Sequence, residues 1–170
     1  SEVLHELFES LSPRDQELLR YALFLGVVMR QDESRYGPGD FLIRNLEGFD
    51  PESGALLTSV SLRPGQVIQF HLRDAHTSAD ALQSSLDAYT AEELPPPAGA
   101  MLFSCLGRGV HLYGQPDFDS ESFLRMVGDV PLGGFFCNGE IGPVQGRTFV
   151  HGYTSAFALF RPDQTRPDQV

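Results

Sequence analysis

The 170-residue chain contains no lysine and no tryptophan, and its twelve cations, all of them arginine, face twenty-three carboxylates for a net charge of -11. The missing lysines exclude a Schiff-base lysine, a lysine general base and a phosphate-binding loop of the G-x-x-x-x-G-K-[ST] type. None of the arginines cluster, so nucleic acid is not an expected partner, and the same negative charge argues against anionic membrane surfaces. No apolar run approaches the roughly 18 residues of a membrane span, so membrane insertion is not expected. Cysteine is scarce too. Cys105 and Cys137 stand apart, without a C-x-x-C pair or a Cys/His spacing suited to zinc; no metal or other cofactor is expected, and a reducing compartment fits. The opening SEVLHELFES lacks the basic and apolar regions of a signal peptide and has no initiator methionine, which reads as a piece of a longer cytoplasmic protein.

What is present is an ordinary globular composition, 41% hydrophobic and 21% charged, in a length that suits one domain with a sizeable core. Val3, Leu4, Leu7, Phe8 and Leu11 recur at helical spacing, and Ser12-Pro13 then supplies a cap and a first-turn proline for a second short helix. The continuous apolar run LFLGVVM (23–29) reads as a buried strand. FLIRNLEGF (41–49), ALLTSVSL (55–62) and QVIQFHLR (66–73) follow, separated by DPESG and RPG, and predict an antiparallel meander. Ala79, Leu82, Leu86 and Tyr89 define a helix over 78–89 behind Ser78, and EELPPPAG (92–99) a loop. AMLFSCLGRG (100–109) predicts a central strand ending at Arg108, and Asp119 opens a helix over 119–128. Residues 133–146 and 147–160 read as two strands joined across Gly142-Pro143, with RPDQTRPDQV as a fraying polar tail.

Several residues invite a chemical role, each beside a plainer explanation. Five glycines between 133 and 146 surround Asn138 and Glu140; they serve either backbone bends or close approach to something bound. Glu140 is then a solvated turn carboxylate or a fixed acceptor for an ammonium or hydroxyl group. Arg44, between Leu42 and Leu46, and Arg73, on the face of His71 and Gln69, need anions, either internal carboxylates or a ligand's. Arg108 has the same two readings. Cys105 lies in an apolar strand near Arg108, which would lower a thiol pKa, although a buried inert cysteine is commoner. A cysteine enzyme would need a histidine base, and His71, His76, His111 and His151 are dispersed.

The set FSCLGRG (103–109), GGFFCNGEIGP (133–143) and His151 within RTFVHGYTSAFALF (147–160) resembles the C-terminal half of the FIST domain (F-box and intracellular signal transduction). Upstream, FLIRNL (41–46) and RPGQVIQFHLRDA (63–75) extend the resemblance over roughly 20–160. It carries over Cys105, Gly107, Arg108, Gly139, Glu140, Ile141, Gly142 and His151, and implies a cytoplasmic sensory module without catalysis. Its partners would be a small molecule such as an amino acid or related metabolite, the other half of the FIST unit and a signalling output domain or protein. The expectation is an α+β fold with a mixed, largely antiparallel sheet flanked by helices over 1–161, and a tail over 162–170. Arg108, with Arg73 or Arg44, would take an anionic group and Glu140 an amine, with Cys105, His151, Gly139 and Gly142 around them. The alternatives are an interaction scaffold without its own ligand and, third, a cysteine-dependent thiol enzyme.

Overall fold

The computed structural model describes residues 2–31, 34–144 and 146–162; the predicted polar tail beyond them lies outside the described residues. Two compact units divide the chain at residues 74 and 75.

The first unit opens with helices α1 (Glu2–Ser10) and α2 (Pro13–Leu19). Ser12 Oγ accepts the amide N–H of Asp15 at 3.2 Å, and Pro13 occupies the first turn, where a missing N–H costs nothing. Strands β1 (Leu23–Val28), β2 (Phe41–Phe49), β3 (Leu56–Thr58) and β4 (Ile68–Leu72) form an antiparallel sheet in the order β3-β2-β1-β4. The expected meander is therefore corrected: β4 crosses back to pair with β1, Leu25 facing Phe70. β1 is apolar on both faces, with Leu25, Val27 and Val28 buried, and a centre position uses that character where an edge would waste it. The second strand of the sequence pattern shrinks to three residues, Leu56–Thr58, after a register shift between Leu46 and Gly48.

The second unit contains α3 (Ala75–Thr90), β5 (Gly99–Cys105), α4 (Val110–Tyr113), α5 (Phe118–Val127), β6 (Leu132–Cys137), β7 (Glu140–Val144), β8 (Arg147–His151) and β9 (Ser155–Phe160). α3 begins three residues before the expected cap, so Ser78 lies inside its first turn. The predicted strand over 100–109 stops at Cys105, because Arg108 turns back on Cys105 O at 2.8 Å and the short α4 follows. The two strands expected over 133–160 are four, and the reversal falls between Val144 and Arg147 while Gly142 and Pro143 sit within β7. β5 is central, parallel to β6 and antiparallel to β9, and β7 and β8 form a separate hairpin. The architecture is α+β with mixed, mostly antiparallel sheets, as expected, although the strands divide among three sheets.

Leu82 and Leu86 of α3, Phe123 of α5, Ala100 of β5 and Val130 form the core of this unit, with Phe157 stacked on Phe123 at 4.9 Å. Side chains of even number in β5 thus face the helices and odd ones face away. Phe123→Ala should destabilise the chain by about 3–5 kcal/mol in urea unfolding. Phe160→Ala, at an exposed ring, should stay within about 0.5 kcal/mol.

Candidate functional site

Ser104, on the helix-facing side of β5, meets Asp119 in the first turn of α5. Asp119 and Phe123 are four residues apart, so the face that buries the phenyl ring also buries the carboxylate. The helix has no use for Asp119 as a cap: the N-cap position falls to Asp117, in a left-handed conformation (φ 59°) and without a side-chain capping bond. The expected capping role of Asp119 is corrected accordingly.

Asp119 instead holds Arg108. Arg108 Nε donates to Oδ2 at 2.8 Å and Nη2 to Oδ1 at 2.9 Å, with the two residues 6% and 5% exposed. Ser104 Oγ and Ser155 Oγ donate to the same Oδ2 at 3.0 and 2.6 Å. Arg108 Nη1 donates to the carbonyl of Tyr153 at 3.2 Å, Nη2 to the hydroxyl of Tyr113, and the guanidinium lies 5.4 Å from the Tyr113 ring centre. Burial alone would raise the Asp119 pKa, but Arg108, Ser155 and Ser104 outweigh it and hold the carboxyl below its usual range. Burial likewise opposes the Arg108 charge and is outweighed by Asp119. Tyr113 is pushed up to about 12, chiefly by burial, and stays a neutral donor and acceptor.

Glu140, 1% exposed, accepts three donors: Thr154 N–H at 3.2 Å, Thr154 Oγ1 at 2.8 Å and Cys137 Sγ at 3.4 Å. Cys105 and Cys137 stand opposite each other on β5 and β6, on the side away from Ser104. Burial, then the hydrogen bond and charge of Glu140, push the Cys137 thiol up; a raised thiol pKa is the reverse of nucleophile activation. His151 pairs across the hairpin with Glu140, and its Nε2 lies 3.1 Å from Gly142 O. A Cβ on Gly139 or Gly142 would meet only ordinary contacts. The steric demands lie elsewhere: a Cβ on Gly134 would stand 1.9 Å from Leu102 O, and one on Gly109 (φ 58°) would stand 3.1 Å from the Phe136 ring.

Arg44 and Arg73 belong to the first unit. Arg44 sits opposite Leu25 in β2, donates to Ile43 O at 3.0 Å and has its pKa lowered by burial. Arg73 follows β4, with its guanidinium 5.9 Å from the Phe24 ring centre. Beside it in sequence, the His71 ring packs over Gly26, where a Cβ would stand 2.3 Å from Nε2, and burial lowers its pKa. Arg108, Glu140, Cys105 and His151 all belong to the second unit, with Arg108 on Asp119 and with Glu140 and Cys105 on the other side of β5.

A cavity of about 240 Å³ opens between the first turn of α5 and the neighbouring parts of β5 and β6, from Leu102 to Ser104 and from Leu132 to Phe136. Ser104 and Asp119 line it together with Asp117, Phe118, Phe135 and Phe136. Sequence reasoning missed Asp119, Ser104, Ser155 and Asp117 as site residues; the four-residue spacing of Asp119 and Phe123 was the available signal.

A family model of the FIST C domain matches residues 1–143. The chain belongs to the FIST C domain family. It is therefore a signal-transduction-associated domain. It is 40% identical over 157 residues to the uncharacterized protein Rv0628c of Mycobacterium tuberculosis, covering 92% of this chain and 41% of that protein. It is 38% identical over 160 residues to the uncharacterized protein Mb0898c of Mycobacterium bovis, covering 94% and 42%. An F-box/LRR-repeat protein of Arabidopsis thaliana is 25% identical over 158 residues, covering 80% and 30%. The chain thus spans about two fifths of the length of its mycobacterial relatives. Among the described residues, no helix of this FIST C domain is long and apolar enough to cross a membrane. No group of three or more His, Cys, Asp or Glu among them could hold a metal ion.

Truncating one member of a buried ion pair strands the other, so Arg108→Ala and Asp119→Ala should each cost about 3–5 kcal/mol in urea unfolding. The double replacement Arg108→Met with Asp119→Leu should cost less than their sum. The folded-state pKa of Asp119 lies below the ordinary 3.8, so its contribution is complete above that pH and is lost as pH falls through the folded-state value. The double variant should accordingly show a shallower loss of stability below about pH 4.

Proposed function

We propose that this FIST C domain is a non-catalytic sensory module of a cytoplasmic signalling protein, and that it binds a molecule of amino-acid size in the cavity between the first turn of α5 and strands β5 and β6. The observation that carries the reading is the cavity itself, with a floor of Ser104 and Asp119 fixed from behind by Arg108. Its volume of about 240 Å³ falls near the lower end of ligand pockets, which run from about 300 to 1,000 Å³. Arg108 and Glu140 act in this reading as positioning residues. Arg108 donates to the Tyr153 carbonyl and Glu140 accepts from Thr154, so both fix that segment, while Asp119, held by Arg108, Ser104 and Ser155, is an anchored wall of the cavity.

A second reading, an interaction scaffold, draws support from that same saturation and from Ile141 and Val150. These two side chains face each other across the β7–β8 hairpin at 71% and 59% exposure. The thiol-enzyme reading has less behind it: the Cys137 thiol donates to the Ser104 carbonyl and Glu140 rather than to an imidazole.

A fragment screen on the ¹⁵N-labelled full chain, with cationic, zwitterionic, neutral and anionic compounds, should produce saturable shifts at the amides of Gly133, Gly134 and Ser120. If no compound of any charge moves them, the cavity is not a binding site and the scaffold reading takes its place.

A further inference from the structure

We infer that the cavity selects an organic cation, an ammonium group on an apolar body, and rejects ligands that carry a carboxylate. The inference rests on the cavity being a binding site and adds the charge of what it binds.

The argument begins with what lines the cavity. Two carboxylates are present, Asp117 and Asp119, and no arginine or histidine. Arg108 neutralises Asp119 from the side away from the cavity, so that carboxylate is an anchored acceptor rather than a net charge. Asp117 differs. It occupies the N-cap position, where an aspartate normally accepts a backbone N–H of the first turn, yet it makes no such bond. Its backbone is left-handed there, unlike the extended conformation of an ordinary N-cap, and its carboxylate, with no ion pair among the described residues, adds a negative charge at the cavity wall.

The rest of the wall is apolar, from Leu102 and Leu132, and aromatic. The Phe136 ring lies on the Ser104 side of β6 and is 55% exposed, Phe118 borders the cavity with one face stacked on Tyr113, and the Phe135 ring packs on Phe103 on the opposite face of the sheet. Phenyl faces carry a negative quadrupole and attract a cation placed over them, while their area accommodates an apolar body. The first turn of α5 would by itself favour an anion, but it already holds Asp119 and Glu121, which satisfy the positive end of the helix dipole. An anionic ligand would therefore meet Asp117 and the Phe136 ring, with no arginine or histidine among the lining residues to pair with. A free amino acid would place its ammonium well and its carboxylate badly. The net charge of -11 biases encounter in the same direction.

The experiment is a matched series that shares one ring and differs only in charge: 2-phenylethylamine, phenylalanine, 2-phenylethanol and 3-phenylpropionate, each titrated into the ¹⁵N-labelled full chain. The amine should bind at least about tenfold more tightly than the other three, through saturable shifts at Gly133, Gly134 and Ser120. Asp117→Asn keeps a residue that tolerates the left-handed conformation; it should remove about tenfold of the amine's affinity and leave that of the alcohol unchanged. Equal or tighter binding of phenylalanine or 3-phenylpropionate would overturn the charge assignment while the cavity reading stood. Absence of amine binding at millimolar concentration would also overturn it, and the mixed-charge fragment screen would then decide separately whether the cavity binds anything. An amine affinity unchanged in Asp117→Asn would refute the role given to Asp117.

Discussion

The second unit depends on one buried ion pair. Arg108 and Asp119 are both almost sealed from solvent, a placement that costs several kcal/mol of desolvation per ion unless all their hydrogen-bonding capacity is used. Here nearly all of it is. Asp119 accepts from Nε and Nη2 of the guanidinium and from two serines, and Arg108 gives two further N–H groups to Tyr153 O and the Tyr113 hydroxyl. Each partner comes from a different part of the chain: the end of β5, the turn after it, α4, α5 and the start of β9. The pair therefore ties these five parts of the chain to one another, a constraint of direction and distance that an apolar pair of equal volume would not impose.

The same logic extends through three consecutive residues. Tyr153 gives its carbonyl to Arg108, Thr154 gives its N–H and hydroxyl to Glu140, and Ser155 gives its hydroxyl to Asp119. The Thr154 carbonyl in turn accepts the amide of Cys105 at 3.0 Å. Tyr153 adopts a positive φ of 63°, a conformation that a bulky residue keeps only when its surroundings insist. Two charged groups on opposite sides of β5 thus converge on one stretch of backbone. The stretch divides the domain's chemistry: Glu140 and the thiols lie on one side, and Ser104, Asp119 and the cavity on the other.

Much of this was legible in the residues. The apolar run 23–29, the helix around Leu82 and Leu86, and the cap at Ser12 all follow from local rules, because each is decided by neighbours within a few positions. The argument that a strand-end arginine needs a defined anion also reached Arg108. It could not name the anion. Asp119 looked like a helix cap because aspartate usually is one near a helix start, and only its four-residue spacing from Phe123 pointed inward. Gly139 and Gly142 drew notice by density, whereas the close approach is at Gly134, set by a parallel neighbour thirty-two residues away in the chain. β4 was misplaced for a related reason: pairing β1 with both β2 and β4 is a choice among strands, and hydrophobic pattern does not rank them.

The absence of lysine has a structural counterpart at this site. A lysine at 108 would supply one compact charge with three donors against four acceptor atoms, and would leave at least one of the Asp119 oxygens, Tyr113 or Tyr153 short of a partner. The planar fork instead reaches both carboxylate oxygens, Tyr113 and the Tyr153 carbonyl at once. A cation so fully occupied is not available to a ligand. On the proposed reading, recognition comes from groups that the fold leaves uncommitted, at the cavity beside the pair a carboxylate at Asp117 and the Phe136 ring. On that reading the arginine that the motif makes conspicuous builds the site, and its less conspicuous acidic and aromatic neighbours determine what the site can hold.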